Sequence, residues 1–134
     1  MLAAPDIPGV QGVVEWFGYW PTFHDAEVLS VELDHVKGFR VSIHAFEITP
    51  EVDSAGFFVL KKHAIVTFHA EGFPQSGGAS LETFGRQNIL GGAHVEIVPE
   101  GFALVLESSV GASGSIVARD LRVSLEPWCT DGHR

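Results

Sequence analysis

The feature that most constrains this chain is an alternation of apolar and polar residues in short runs, separated by turn-forming residues. Residues 39–45 are typical, because apolar side chains fall on every odd position and Arg40, Ser42 and His44 fall between them. A period of two places these two sets on opposite faces of a β-strand. Similar β-rich runs occur at 27–33, 57–69, 94–98, 102–108 and 117–125.

Short strands with turn signals between them predict a mainly β chain. We predict one domain over residues 1–134, an antiparallel β-sandwich or a strongly curved sheet, with loose termini at 1–8 and 128–134. A short N-terminal helix is predicted from Pro8 to Trp16 or Phe17. Loops are predicted at 49–56 and 71–79, and the sequence Lys61-Lys62-His63 predicts a bulge or an exposed edge segment.

The charge balance limits the class of partner. The chain has 17 acidic and 8 basic residues, for a formal net charge of −9. A basic nucleic-acid footprint is therefore absent, and no nucleic-acid partner is predicted. Long-range attraction favours a basic protein partner, although surplus acid also serves solubility alone.

Cysteine usage and hydropathy bear on the compartment. Cys129 is the only cysteine, so no internal disulfide forms within the chain, which fits a reducing compartment. No apolar run approaches the roughly 20 residues that span a bilayer. We therefore expect a cytoplasmic protein without a membrane partner.

The densest chemical segment is residues 16–27, WFGYWPTFHDAE. Its aromatic residues predict either a cover over one open end of the sheet or an interface, to which Trp20 is a candidate. His24 and Asp25 are candidates for partner binding or for a proton-transfer pair. The more economical interpretation is that Asp25 accepts from backbone N–H groups while His24 bridges loop carbonyls.

Two loops supply further polar candidates for partner binding. Glu51 and Asp53 lie in the predicted loop at 49–56. A second loop carries the other three candidates: Arg86, Gln87 and Asn88. Such side chains bind partners, and they brace turns equally well.

Histidines give the only metal alternative. The chain has no close ligand spacing of a known zinc motif, so neither a metal site nor any other cofactor is predicted. Ligands assembled from distant strands leave no such spacing. The candidates for that alternative are His24, His44, His63 and His69, with His44 on the outward face of its strand and His63 and His69 on one shared face.

Two segments of the chain have the character of family motifs. The first is Trp16…Trp20-Pro21-Thr22-Phe23-His24-Asp25-Ala26-Glu27-Val28. It resembles a signature of bacterial immunity proteins of polymorphic toxin systems, the immunity protein 50 type. The later segment Phe84-Gly85-Arg86-Gln87-Asn88-Ile89 is similar to a second motif of that group. The resemblance implies a mostly β domain, a cytoplasmic location, and neutralisation of a cognate toxin by binding. It implies no catalytic residues.

Three hypotheses of different classes therefore stand. The first is a non-catalytic immunity protein that binds a toxin. The second is a small metal-dependent or acid–base hydrolase that uses His24 and Asp25 with a distant histidine. The third is a structural module that associates with itself through an exposed strand edge, giving a homodimer.

Overall fold

A computed structural model of the chain describes residues 4–34, 38–71, 75–78, 89–109 and 113–128. These residues form one helix, α1 (Val10–Phe17), and eight strands. The strands are β1 (Glu27–Asp34), β2 (Gly38–Val52), β3 (Phe58–Glu71), β4 (Gln75–Gly78), β5 (Leu90–Val98), β6 (Gly101–Ser108), β7 (Ser113–Ala118) and β8 (Asp120–Pro127). The predicted mainly β class with a short N-terminal helix is confirmed.

The strands form two four-stranded antiparallel sheets. The first, sheet A, has the order β1-β2-β3-β8, and the second, sheet B, has the order β4-β7-β6-β5. The β-rich runs at 94–98 and 102–108 form a hairpin, in which Val98 pairs with Gly101 between β5 and β6.

Two stretches of chain contribute a strand to both sheets. In sheet A the β3–β8 pairing reaches Glu71 and Asp120, and in sheet B the β4–β7 pairing starts at Gln75 and Val117. Two sequence predictions are therefore wrong in part. Residues 117–125 are not one strand, because the chain passes from sheet B to sheet A at a bend at residue 119, and the predicted loop 71–79 contains β4.

The core lies under one face of sheet A. Val41 and Ile43 of β2 and Val66 and Phe68 of β3 are at most 1% exposed. Between them, the outward side chains are polar, as the alternation predicts. Sheet B contributes a second set of buried residues, which includes Leu104, Leu106 and Ile116.

Helix α1 closes one end of this core. Its buried residues are Val13 and Phe17, which are four positions apart and therefore share a face. Gly9 precedes the helix with φ of 92°, and a Cβ there would lie 1.6 Å from the backbone oxygen of Val123. Only glycine permits this approach of the helix to β8, where Val123 N donates to Pro8 O at 2.9 Å.

A bulge at Lys62 fixes the other end of the helix. Lys62 has φ of 58°, and the β2–β3 register shifts here, so the predicted irregularity in residues 61–63 is confirmed. Its Nζ donates to Phe17 O at 3.0 Å, at the negative end of the helix dipole. Trp16 Nε1 donates to Lys62 O at 2.8 Å, so the helix is attached to the bulge from both sides.

Strands β2 and β3 extend beyond their neighbours. The pairing of β1 with β2 ends at His44, and the pairing of β8 with β3 ends at Ala64. Residues 47–61 therefore form a two-stranded hairpin that projects from sheet A, and we call it the arm. The predicted loop at 49–56 is too long, because β2 continues to Val52 and the turn occupies only residues 53–57.

Candidate interaction surface

The segment before β1 has an unusual backbone. Phe23 and Asp25 have φ of 64° and 65°, in the left-handed region that residues with a Cβ rarely adopt. Such conformations persist only where the surrounding structure imposes them, and they concentrate at functional sites. We call residues 18–26 the motif loop, since they include most of the first family-like segment.

Backbone hydrogen bonds hold the motif loop against β5. Asp25 N donates to Leu90 O, and Leu90 N donates to Ala26 O, both at 2.8 Å. Ala93 N donates to Thr22 O at 3.0 Å. The loop therefore spans from sheet A to sheet B, and a bridge between Glu27 and Ile89 continues this contact.

Aromatic packing supports the loop from inside. Trp20, Phe23 and Phe68 form an edge-to-face triangle with ring centroids 5.8–6.3 Å apart. Trp20 is only 4% exposed, so it shapes the loop and is not itself available to a partner. The aromatic segment thus covers one end of the sheet, as one of its two interpretations predicts.

His24 and Asp25 are exposed at the crest of the loop. His24 Nδ1 lies 3.0 Å from Gly91 O, so the predicted contact of His24 with a loop carbonyl is present. His24 Nε2 lies 3.6 Å from Asp25 Oδ1, because the left-handed Asp25 turns its carboxylate toward the imidazole. Both side chains are more than half exposed and remain available to a partner.

A cleft of about 270 Å³ opens beside His24. Its walls come from the motif loop and from the base of the arm. The lining residues are Tyr19, Pro21, Thr22, Phe23, His24, Ala26, Ala45, Phe46 and Ile48. Burial, and secondarily the carboxylate of Glu47, raises the pKa of the Tyr19 hydroxyl, so this group stays neutral and can donate or accept a hydrogen bond.

Among the described residues, five of the eight large apolar side chains that are exposed lie on the arm. Phe57 is 70% exposed and Phe58 is 60% exposed. Three more apolar residues of the arm are exposed: Ile48, Val52 and Leu60. Ile48 pairs with Leu60 and Val52 with Phe58 across the hairpin, with a register shift between the two pairs. Clustered exposed apolar residues mark interaction sites, whereas single ones need no explanation.

The two acidic candidates of the arm have structural partners. Asp53 Oδ1 accepts hydrogen bonds from Ala55 N at 2.9 Å and from Phe57 N at 3.0 Å, so it braces the turn. Glu51 Oε2 lies 3.2 Å from Lys61 Nζ, and both side chains are more than half exposed. Glu51 therefore remains accessible to a partner, while the carboxylate of Asp53 positions the tip.

Both edges of the arm resist pairing with another strand. Pro50 on β2 lacks the N–H group that an added strand requires. Lys61 and Lys62 on β3 place charges at the other edge, which disfavours edge-to-edge association. The arm is therefore suited to contact a partner through its apolar side chains.

The structure does not bring the remaining candidate residues from the sequence together at one site. Arg86, Gln87 and Asn88 lie outside the described residues. The four histidines of the alternative metal site lie in three separate places. His24 lies in the motif loop, His69 contacts Ser124, and only His44 and His63 meet. Within the described ranges, no group of three or more His, Cys, Asp or Glu side chains is placed to hold a metal ion.

Sequence reasoning missed the apolar side chains of the arm as a candidate surface. The signal was present in Phe57-Phe58-Val59-Leu60, a continuous apolar run that follows a polar turn. Such a run usually indicates a buried strand. Here it lies where β3 has no second neighbour, which only the pairing of the strands reveals.

The chain matches no family model, no curated protein and no solved structure. In the part of the chain that the structure describes, α1 is too short to cross a membrane, and no other helix has the length and apolar character to do so.

Proposed function

We propose that this chain is a non-catalytic immunity protein that binds and neutralises a protein toxin. The observation that carries the proposal is the surface formed by the apolar arm and the adjoining His24 cleft. The family-like motif supplies the loop of that cleft, and its other wall comes from Ile48 of the arm and from Phe46, which directly precedes the arm.

This surface has the composition of a protein interface. Its aromatic residues are Phe57 and Phe58 toward the tip of the arm and Tyr19 and Phe46 in the cleft. Polar groups such as His24 and Glu51 lie around them. The formal net charge of −9 favours rapid association with a basic protein, and a nuclease-like toxin has such a surface.

The test is binding to a candidate toxin domain from a gene adjacent to the one for this chain, measured by calorimetry, with survival of cells that produce the toxin as a second measurement. We expect tight binding and survival for the wild-type chain. The double variant Phe57→Asp and Phe58→Asp should lose roughly 2 kcal/mol or more of binding free energy, as for interface hot spots, which is about 30-fold in Kd.

Ile97 provides a matched control, because it is 83% exposed and lies on β5 of sheet B, away from the arm. Ile97→Asp should bind the toxin like the wild type. Equal affinity of the double arm variant would contradict the role of the arm. Failure of the wild-type chain to bind or protect would contradict the proposed function, and an arm-dependent homodimer in its place would favour the self-association hypothesis.

A further inference from the structure

His44 and His63 meet on the outer face of sheet A, at the base of the arm. His44 Nε2 and His63 Nδ1 are 3.0 Å apart. The register places Ile65 directly opposite His44, so His63 is its diagonal neighbour on β3. A separation of 3.0 Å is a hydrogen-bond distance, so one of the two nitrogens donates and the other accepts.

The same separation suits two ligands of one metal ion. Bonds of 2.0–2.1 Å at angles between tetrahedral and square-planar values place two cis nitrogens about 2.9–3.4 Å apart. Imidazole nitrogen is a preferred ligand for zinc, copper and nickel. We propose that His44 and His63 bind a divalent late transition-metal ion, with water in its remaining coordination positions.

When both rings are neutral, binding of the ion moves one ring proton from one nitrogen to the other and releases no proton. The ring that donates the hydrogen bond must carry its proton on its other nitrogen, so that both facing nitrogens offer a lone pair. Each ring then turns about its Cβ–Cγ bond, a soft torsion, until both lone pairs point to the ion. The ion takes the place of the hydrogen-bonded proton.

Aromatic neighbours already limit the motion of the two rings. Trp128 stacks on His44 with ring centroids 4.0 Å apart and planes 18° apart. Phe46 contacts the His44 ring at 5.6 Å and the His63 ring at 5.7 Å. These contacts hold the two rings next to each other, which lowers the entropy that binding must remove, while rotation about the Cβ–Cγ bonds remains for alignment with the ion.

The nearby charges favour a cation. Glu27 pairs with His44 in the β1–β2 register, and Glu126 pairs with Ile65 on the other side. The neighbouring cation, Lys62, directs its Nζ to Phe17 O and toward Glu47 Oε1. A bound ion would connect β2 to β3 where the arm leaves the sheet, independently of whether the arm binds a toxin.

The experiment is a titration of the metal-free chain with Cu²⁺, followed by calorimetry and by tryptophan fluorescence. Cu²⁺ is the probe because it forms the strongest complexes of the divalent series. We expect a single high-affinity ion per chain with quenching of fluorescence. His44→Gln and His63→Gln should each weaken binding by more than about tenfold, since removing groups that only orient a ligand already costs 10–100-fold.

Controls separate ligation from folding. His69→Gln removes a histidine from the same strand and face, and it should bind Cu²⁺ like the wild type. Trp128→Phe should keep the calorimetric affinity while most of the quenching is lost. In the wild-type chain, which needs no variant, Zn²⁺ should shift the ring NMR signals of His44 and His63 together. Unchanged affinity in His44→Gln and His63→Gln, or Zn²⁺ shifts confined to other histidines, would overturn the proposal.

Discussion

Sheet A has two parts that differ in what they expose. Where β2 and β3 have neighbours on both sides, four hydroxyl side chains form one row across the strands: Ser30, Ser42, Thr67 and Ser124. The next row is Glu32, Arg40, His69 and Arg122, in which Glu32 and Arg40 form an ion pair. Where the same two strands continue alone as the arm, the exposed side chains include two phenylalanines, a valine, a leucine and an isoleucine.

This difference indicates that the two parts meet different surroundings. A face of hydroxyl and charged groups is suited to water, because such groups keep hydrogen-bond partners there. An isolated two-stranded hairpin is marginally stable in water, and exposed apolar side chains add a cost that a partner would remove. The arm therefore has the character of an interface, and the covered part of the sheet has the character of a scaffold.

The largest expected effect is a difference in the free energy of unfolding when phenylalanine is replaced by alanine in each of the two parts of sheet A. Phe68 is 1% exposed, so Phe68→Ala should lower the free energy of unfolding by about 3–5 kcal/mol. Phe58 is 60% exposed, so Phe58→Ala should change it by only about 0.5 kcal/mol. Chemical denaturation of both variants measures the difference. A large loss from Phe58→Ala would show that the arm is part of the folding core and would break the comparison.

A smaller effect is expected at the tip of the arm. Asp53→Ala removes two hydrogen bonds to backbone N–H groups, each of which contributes about 1 kcal/mol locally. Because the strands of the arm pair only with each other, we expect the arm to open separately from the rest of the sheet, so hydrogen exchange should rise in residues 47–61 while the global unfolding midpoint stays unchanged. Asp53→Asn keeps one acceptor oxygen and should retain most of the protection. Equal loss of protection across β2, β3 and β8 would contradict local opening.

The smallest expected effect is a pH dependence of the free energy of unfolding that arises in the scaffold part of sheet A. Burial, followed by the neighbouring charges of Arg122 and Arg40, lowers the pKa of His69 below its ordinary value. His69 therefore resists protonation in the folded protein, whereas in the unfolded chain it binds a proton at about pH 6.5, the ordinary histidine pKa. The free energy of unfolding should consequently fall as the pH drops through about 6.5.

The check is a comparison of thermal unfolding for the wild type and His69→Gln on either side of that pH. The variant should lose less stability on acidification. Identical pH profiles for the two proteins would show that His69 and its neighbours in the row make no contribution to the pH dependence of stability.

The sequence predicted the parts of the fold that depend on local alternation. The strands around residues 39–45 and 102–108 and the bulge at Lys62 follow from side-chain pattern and turn chemistry. Strand β4, with the sequence Gln-Ser-Gly-Gly, has no apolar pattern, and it forms because β7 supplies its hydrogen-bond partners. Pro50 suggested a loop, yet it fits an edge strand that has no neighbour on that side.

The sequence predicted His24 and Asp25 of the candidate surface, but neither the apolar arm nor the way these parts come together. His24 and Asp25 stood out by type, but their approach depends on the left-handed backbone of Asp25, which aspartate adopts only occasionally. The meeting of His44 with His63 depends on the strand register, since 19 positions separate them along the chain. The apolar arm depends on which strands lack neighbours, and no local pattern contains that information.

The passage of two chain stretches from one sheet into the other has a mechanical consequence. Separating the sheets requires breaking main-chain hydrogen bonds of both stretches, and the motif loop adds a further attachment between Asp25 and Leu90. The sheets that carry the cleft are therefore joined by main-chain hydrogen bonds at more than one place. A force that a partner exerts on the arm acts first at the root of the hairpin, beyond which β2 and β3 pair only with each other.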